Sequence, residues 1–189
     1  MLESLKSDDF WKIARRYFVL NGFDGILTVL GITAGSFSTQ VANPKVLITS
    51  CLGSAIALGV SGVSGAYITE KAERLKKFKE LQKDMLSELE DSVHKKNVTQ
   101  RSIAISIVNG ASPFLCALLS TVPYFFPLFG IVTMEIAYYA SAGIALSLLG
   151  LLGAFLGKIS RESLITFGLK MIGVGVLTAV LSLTLGIGG

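Results

Sequence analysis

Five stretches of this chain are too long and too apolar for a water-soluble fold to hide. They cover residues 17–37, 46–69, 102–126, 128–157 and 163–187. Each matches or exceeds the ~20 residues that a helix needs to cross the hydrocarbon core of a bilayer. The backbone N–H and C=O groups meet no water there, so the runs must be helical. The expected fold is all-α, a polytopic membrane protein with five transmembrane helices. The fourth run is long enough that its helix must tilt or extend past the bilayer. Only 16% of the residues are charged, against about 25% in soluble domains, and they gather between the runs.

Start and stop signals divide the runs. Asn43-Pro44 is an N-cap followed by Pro at the first helical position, opening the second helix. Pro127 is expected to open the fourth helix in the same way, and Ser160 with Glu162 to cap the fifth. Ahead of the first run, Phe10, Trp11, Ile13 and Ala14 interleave with Lys12, Arg15 and Arg16. This pattern reads as a short interfacial helix leading into the membrane. The first run has no clear small-residue cleavage site and is expected to stay in the protein.

Lys and Arg set the expected orientation. Lys6, Lys12, Arg15 and Arg16 precede the first run, nine basic residues lie between Lys71 and Arg101, and Lys158 and Arg161 separate the last two runs. The opposite side has only Lys45. The positive-inside rule then puts the N-terminus in the cytoplasm and the C-terminus outside, in the cell membrane by default. The net charge of +4 belongs to this anchoring among membrane lipids, so no nucleic-acid partner is expected. Cys51 and Cys116 lie inside apolar runs without CxxC spacing and read as small apolar residues.

The segment after the second run has no Gly or Pro from Glu70 to Val93 and should continue that helix into the cytoplasm. At 100° per residue, Glu70, Glu73, Glu80, Asp84, Glu88 and Asp91 fall in one sector about 80° wide, with Leu75 opposite, Phe78 and Met85 on the flank and Leu81 at the sector's edge. The chain is therefore read as one membrane domain over 1–189, with an amphipathic helical extension over 70–96. The acidic stripe is either a cation-gathering surface or an ordinary solvated face laced with ion pairs.

Few groups in the runs carry chemistry. Asp24 lies roughly 10 Å into the first helix at 1.5 Å per residue. A charge at a helix centre costs about 2.5–3.5 kcal/mol on insertion scales, so such a residue usually serves a pathway or a pair. Asn21, Asp24, Thr28, Gly31 and Gly35 recur at helical spacing and form one small, polar face. That face is also a packing face of the GxxxG kind. Glu135, near the outer end of the fourth run, is a proton site, a second metal ligand or a carboxylate reaching outer water. Lys170 either snorkels toward the cytoplasm or pairs with Asp24. Carboxylates suit hard divalent cations such as Mn²⁺ and also bind Fe²⁺. No nucleophile–base set, phosphate loop or dinucleotide fingerprint is present, so no enzyme and no resident cofactor are expected.

The residues from Arg16 to Thr28, with Asn21-Gly22-Phe23-Asp24-Gly25 at their centre and Ala34-Gly35 after them, resemble the vacuolar iron transporter family. Gly65-Ala66-Tyr67 followed by Glu70-Lys71-Ala72-Glu73, and Pro123-Tyr124-Phe125, are similar to that family's ends of helices two and three. The resemblance implies a homodimer that moves Fe²⁺ or Mn²⁺ out of the cytosol in exchange for protons. It places Asp24 on the ion path and gives the cytoplasmic extension a metal-binding role, with Glu80, Asp84 and Glu88 as the loose counterparts of its glutamates. Ser54 and Gly62 stand where the family has Glu and Met, and the cytoplasmic section is shorter. The leading expectation is a proton-coupled divalent-metal transporter. Its pathway residues are Asp24, Asn21, Thr28 and Glu135, and its metal ligands are Asp24, Glu73, Glu80, Asp84, Glu88 and Asp91. The alternatives are a non-transporting membrane protein that binds a partner through its cytoplasmic helix, and a transporter of another solute.

Overall fold

A computed structural model describes residues 8–85 and 93–186, and every regular element among them is helical. The elements are α1 (Asp8–Ser38), α2 (Pro44–Met85), α3 (Val93–Thr121), a 3₁₀ segment (Val122–Phe129), α4 (Met134–Ser160) and α5 (Leu164–Gly186). Five of them contain stretches long and apolar enough to cross a membrane: Trp11–Ser38, Pro44–Glu73, Ser102–Phe129, Met134–Ser160 and Leu164–Leu185. At 42 residues, α2 is about 63 Å long, twice the ~30 Å hydrocarbon core. Residues 70–85 of the extension expected over 70–96 continue α2, residues 86–92 lie outside the described residues, and residues 93–96 open α3 instead. Glu88 and Asp91 of the acidic stripe lie outside the described residues, as does the side chain of Asp84.

The helices pack around α1 and α3. Half of the α3 window is buried, against 11% of that of α5, which lies at the periphery. Ile26 and Leu30 of α1 meet Cys116 of α3 and Ala145, Leu149 and Leu152 of α4 in the central cluster. Val29, Cys51, Ala55 and Ala117 join α1, α2 and α3 in a second cluster. Both cysteines are free, buried and in separate clusters, as expected of small apolar residues. Pro113 sits inside α3, where it removes a backbone donor, and its main chain lies directly against Gly25. A Cβ on Gly25 would sit 2.8 Å from Pro113 Cα, so only Gly permits this approach of α1 to α3.

Three boundaries differ from the sequence reading. First, α3 ends at Thr121, and Pro127 lies within the 3₁₀ segment rather than at the start of a helix. Gly130 then takes φ 68°, and α4 begins at Met134 after Thr133, whose side chain accepts a bond from Ile136 N at 3.5 Å. Hydropathy alone merged the apolar residues 128–133 into the fourth run. The true signals are Pro123 and Pro127, which cannot donate, and Gly130, which tolerates the left-handed turn. Second, Ser160 Oγ donates back to Gly157 O (3.1 Å) at the end of α4, and the N-cap of α5 is Ser163, which accepts from Thr166 N at 3.4 Å. Third, the interfacial helix is not separate. It is the opening of α1, with Trp11 59% exposed and Ala14 buried against Ile105. The α2 cap is as expected, with Asn43 Oδ1 accepting from Lys45 N at 3.0 Å.

The last two helices form a tight hairpin. Arg161 closes α4 with φ 58°, its N–H bonded to Gly157 O. The backbones touch at Gly153, where a Cβ would stand 2.7 Å from Gly168 Cα.

Candidate functional site

The hydroxyl and amide side chains of the bundle form two clasps. At the charged end, Asn21 Nδ2 on α1 donates to Tyr17 O (2.9 Å) and to Asn109 Oδ1 on α3. Asn109 Nδ2 in turn donates to Gly62 O on α2 at 2.7 Å. Ser112 Oγ of α3 donates to Phe18 O of α1 (2.5 Å), and Tyr17 Oη donates to Glu70 Oε1 of α2 (3.4 Å). Three helices are thus tied together over about two turns. At the other end, Tyr124 Oη donates to Thr33 Oγ1 (2.9 Å), Thr33 Oγ1 lies 3.3 Å from Ser141 Oγ, and Ser141 Oγ donates to Ser120 O (2.7 Å). Tyr138 Oη donates to Val41 O at 2.8 Å, which sets the start of α4 beside the end of α1. In hydrocarbon an unbonded polar group has no water to fall back on, so these satisfied groups can stay buried.

Between the clasps, the α1 residues proposed from sequence divide into two sets. Gly22 and Gly25 face α3, and Asn21 is half-buried in the clasp at the charged end. Asp24 is exposed, and Thr28, Gly31 and Gly35 share its side with only partial cover. Among the described residues nothing lies within 4 Å of a Cβ built on Gly35, and only Ser182 Oγ of α5 (3.5 Å) approaches one on Gly31. Thr28 Oγ1 donates to the backbone O of Asp24 at 2.8 Å and leaves the carboxylate free. Among the described residues Asp24 makes no ion pair. The Asp24–Lys170 pair is not formed, and Lys170 Nζ instead lies 5.2 Å from the Phe167 ring centre on the exposed side of α5.

The remaining candidates are scattered. Glu135 is exposed in the first turn of α4, where the helix dipole favours a negative charge. It stands beside the clasp of Tyr124, Thr33 and Ser141, at the opposite end from the charged one, and not beside Asp24. Glu73 and Glu80 are exposed on the α2 extension, and Glu80 lies 3.8 Å from Lys76. That pair is of the weak, solvated kind. Among the described residues no three His, Cys, Asp or Glu side chains converge to hold a metal. Glu70 departs from the stripe, being only 7% exposed and bonded to Tyr17. Sequence reading missed Tyr17, Glu70, Asn109 and Ser112 as partners. The available signal was two amides and a carboxylate at the margins of apolar runs. Gly62, where the resemblance sets a Met, is a packing contact. A Cβ there would stand 2.9 Å from Gly110 Cα and 3.0 Å from Asn109 O.

The clasp at the charged end has a direct test. Asn109→Ala removes the acceptor for Asn21 and the donor to Gly62, so melting in detergent should fall by the equivalent of about 1–2 kcal/mol. An unchanged melting temperature would mean that the clasp does not hold α1, α2 and α3 together.

Five long apolar helices, joined by hydrogen-bonded side chains at both ends, define a polytopic α-helical membrane protein. Residues 15–103, which span α1, α2 and the start of α3, match the family described as the VIT family. The chain is also 36% identical over 170 residues to an uncharacterized protein of Methanocaldococcus jannaschii, covering 88% of this chain and 85% of that one. The chain belongs to the VIT family, the vacuolar iron transporters.

Proposed function

We propose that the protein is a transporter of divalent metal, Fe²⁺ or Mn²⁺, working as a homodimer that exports the ion from the cytosol in exchange for protons. The observation that carries this reading is Asp24, an exposed carboxylate within a membrane span that has no ion-pair partner among the described residues. An ionised carboxylate facing lipid is costly. A second copy packed on the small face of Asp24, Thr28, Gly31 and Gly35 would cover it, in the manner of small-residue helix contacts. Two Asp24 carboxylates facing each other would supply hard oxygen ligands for a divalent ion, or hold a proton between them when the ion has left. Among the described residues of one copy no three ligands converge, and a site completed by two copies accommodates that.

The other assignments follow from this one. The N-terminus and the α2 extension lie in the cytoplasm by the Lys and Arg distribution. Glu73 and Glu80, with Asp84, Glu88 and Asp91, raise the local cation concentration at the mouth. Glu135 serves the outer side. Asn21 acts through the clasp at the charged end rather than as a ligand, and the hydroxyl of Thr28 supports the turn that carries Asp24. The unformed Asp24–Lys170 pair weighs against transport of another solute.

Reconstitution tests the reading. Protein in sealed vesicles should move Mn²⁺ or Fe²⁺ when a pH gradient is imposed, at a rate that falls when the gradient is collapsed. Absence of flux for both metals would reject transport and favour a membrane protein that binds a partner through its α2 extension.

A further inference from the structure

On the side of α1 away from Asp24, a groove of about 550 Å³ opens between α1, α3 and α4 at the charged end of the bundle. Its wall includes Trp11, Arg15 and Phe18 of α1, Ala104 and Val108 of α3, and Phe155 of α4. Ligand pockets typically span about 300–1,000 Å³ and are mostly apolar with a few placed polar groups. Among the described residues the lining is apolar except for Arg15, and none of it is acidic.

Arg15 is the anomaly. Among the described residues its Nε is fully buried without a hydrogen-bond partner, and no acidic side chain pairs with it. A guanidinium is always charged and presents five donors in a fixed fork. Burying one of those donors without an acceptor costs free energy that nothing among the described residues returns. The position in the bundle narrows the missing acceptor. Trp11, a residue type enriched at headgroup level, lies one turn before Arg15, and Lys12 and Arg16 flank it. Lys158 follows Phe155 by three residues at the same end of α4. A groove with an apolar floor and a cationic rim at headgroup depth matches a molecule with a hydrocarbon tail and a negative head.

We propose that this groove holds one anionic phospholipid of the adjacent leaflet, with its phosphate on the Arg15 guanidinium and an acyl chain along Phe18, Ala104, Val108 and Phe155. Arg15 and Asp24 are nine residues apart, which at 100° per residue puts them on opposite sides of α1. The face that carries Asp24 therefore remains open to a second copy while the groove is filled. The lipid is a structural ligand that wedges α1 against α3 and α4, and the claim does not depend on what is transported.

The test reads lipid binding, not flux. Purified protein in detergent is titrated with phosphatidylglycerol and with phosphatidylcholine, and binding is followed by native mass spectrometry and by melting temperature. Wild type should bind phosphatidylglycerol about tenfold more tightly than phosphatidylcholine, the scale of one lost charge-assisted bond. Arg15→Gln should bind both equally, and without lipid it should melt no lower than wild type. Ala104→Trp, which fills the groove, should weaken both lipids while leaving Arg15 in place, so the idea stays testable if Arg15→Gln folds poorly. Inorganic phosphate alone should leave melting unchanged. Equal binding of the two lipids by wild type, or a preference that survives Arg15→Gln, would overturn the proposal. So would conversion of a dimer to a monomer by Ala104→Trp, which would make the groove an interface between copies.

Discussion

Asp24→Asn is expected to cut pH-driven Mn²⁺ flux by about 10–100-fold, the range seen when even outer-shell partners of a metal site are removed, while leaving the protein folded. Asn matches Asp in shape, so the exposed face of α1 keeps its contour. The bond from Thr28 goes to the Asp24 backbone oxygen and survives the change. Among the described residues the carboxylate has no ion pair to lose, and removing a charge at membrane depth relieves a cost of about 2.5–3.5 kcal/mol. Melting should therefore hold steady or rise while transport collapses. That combination separates a working carboxylate from a structural one. Undiminished flux in Asp24→Asn would remove Asp24 from the mechanism, and a fall in flux matched by a fall in folded protein would make it a packing residue.

Gly62→Met is the second large effect, and it runs against the intuition that restoring a family residue restores a function. The Gly62 backbone lies against Gly110 and Asn109, so a new Cβ at 2.9 Å from Gly110 Cα meets main chain that cannot rotate away. Separating α2 from α3 also breaks the bond from Asn109 to Gly62 O. Overpacking of about 1–3 kcal/mol together with that bond should lower the melting temperature by roughly 5–15 °C for a chain of this size. Flux should not improve. A variant that melts within about 2 °C of wild type would show that α2 and α3 separate freely here, and that a Met ligand is sterically available after all.

The sequence was most informative where one physical rule acts alone. Twenty or more apolar residues in lipid leave the backbone only the helix, so all five spans were readable from hydropathy, and Asn43-Pro44 opened α2 where its cap chemistry required. The start of α4 was not readable in that way. Residues 128–133 are as apolar as the helices around them, and only the backbone demands of Pro127 and Gly130 set them apart. The candidate site shows the same division. Asp24 stood out because a carboxylate in an apolar run is conspicuous, and its exposure depends on which helices cover α1. Glu70 fell in the acidic stripe by periodicity, yet Tyr17, 53 residues earlier, covers it. Asn21 looked like a neighbour of Asp24 by spacing, but it is held by Asn109, 88 residues away. Contacts at such separations are fixed by tertiary packing, which a 100° wheel does not contain.

The α4–α5 hairpin has a consequence for how the molecule is put together. Its two helices meet backbone to backbone at Gly153 and Gly168, are joined by only three residues (161–163), and satisfy their own main-chain bonds. Helices in lipid can form before they associate, so this pair is suited to insert as a finished unit and then seat against α1. The exposed turn at Gly130 and Ile131 is then the seam between two subassemblies: three helices locked by amides and backbone contacts, and a two-helix piece added last.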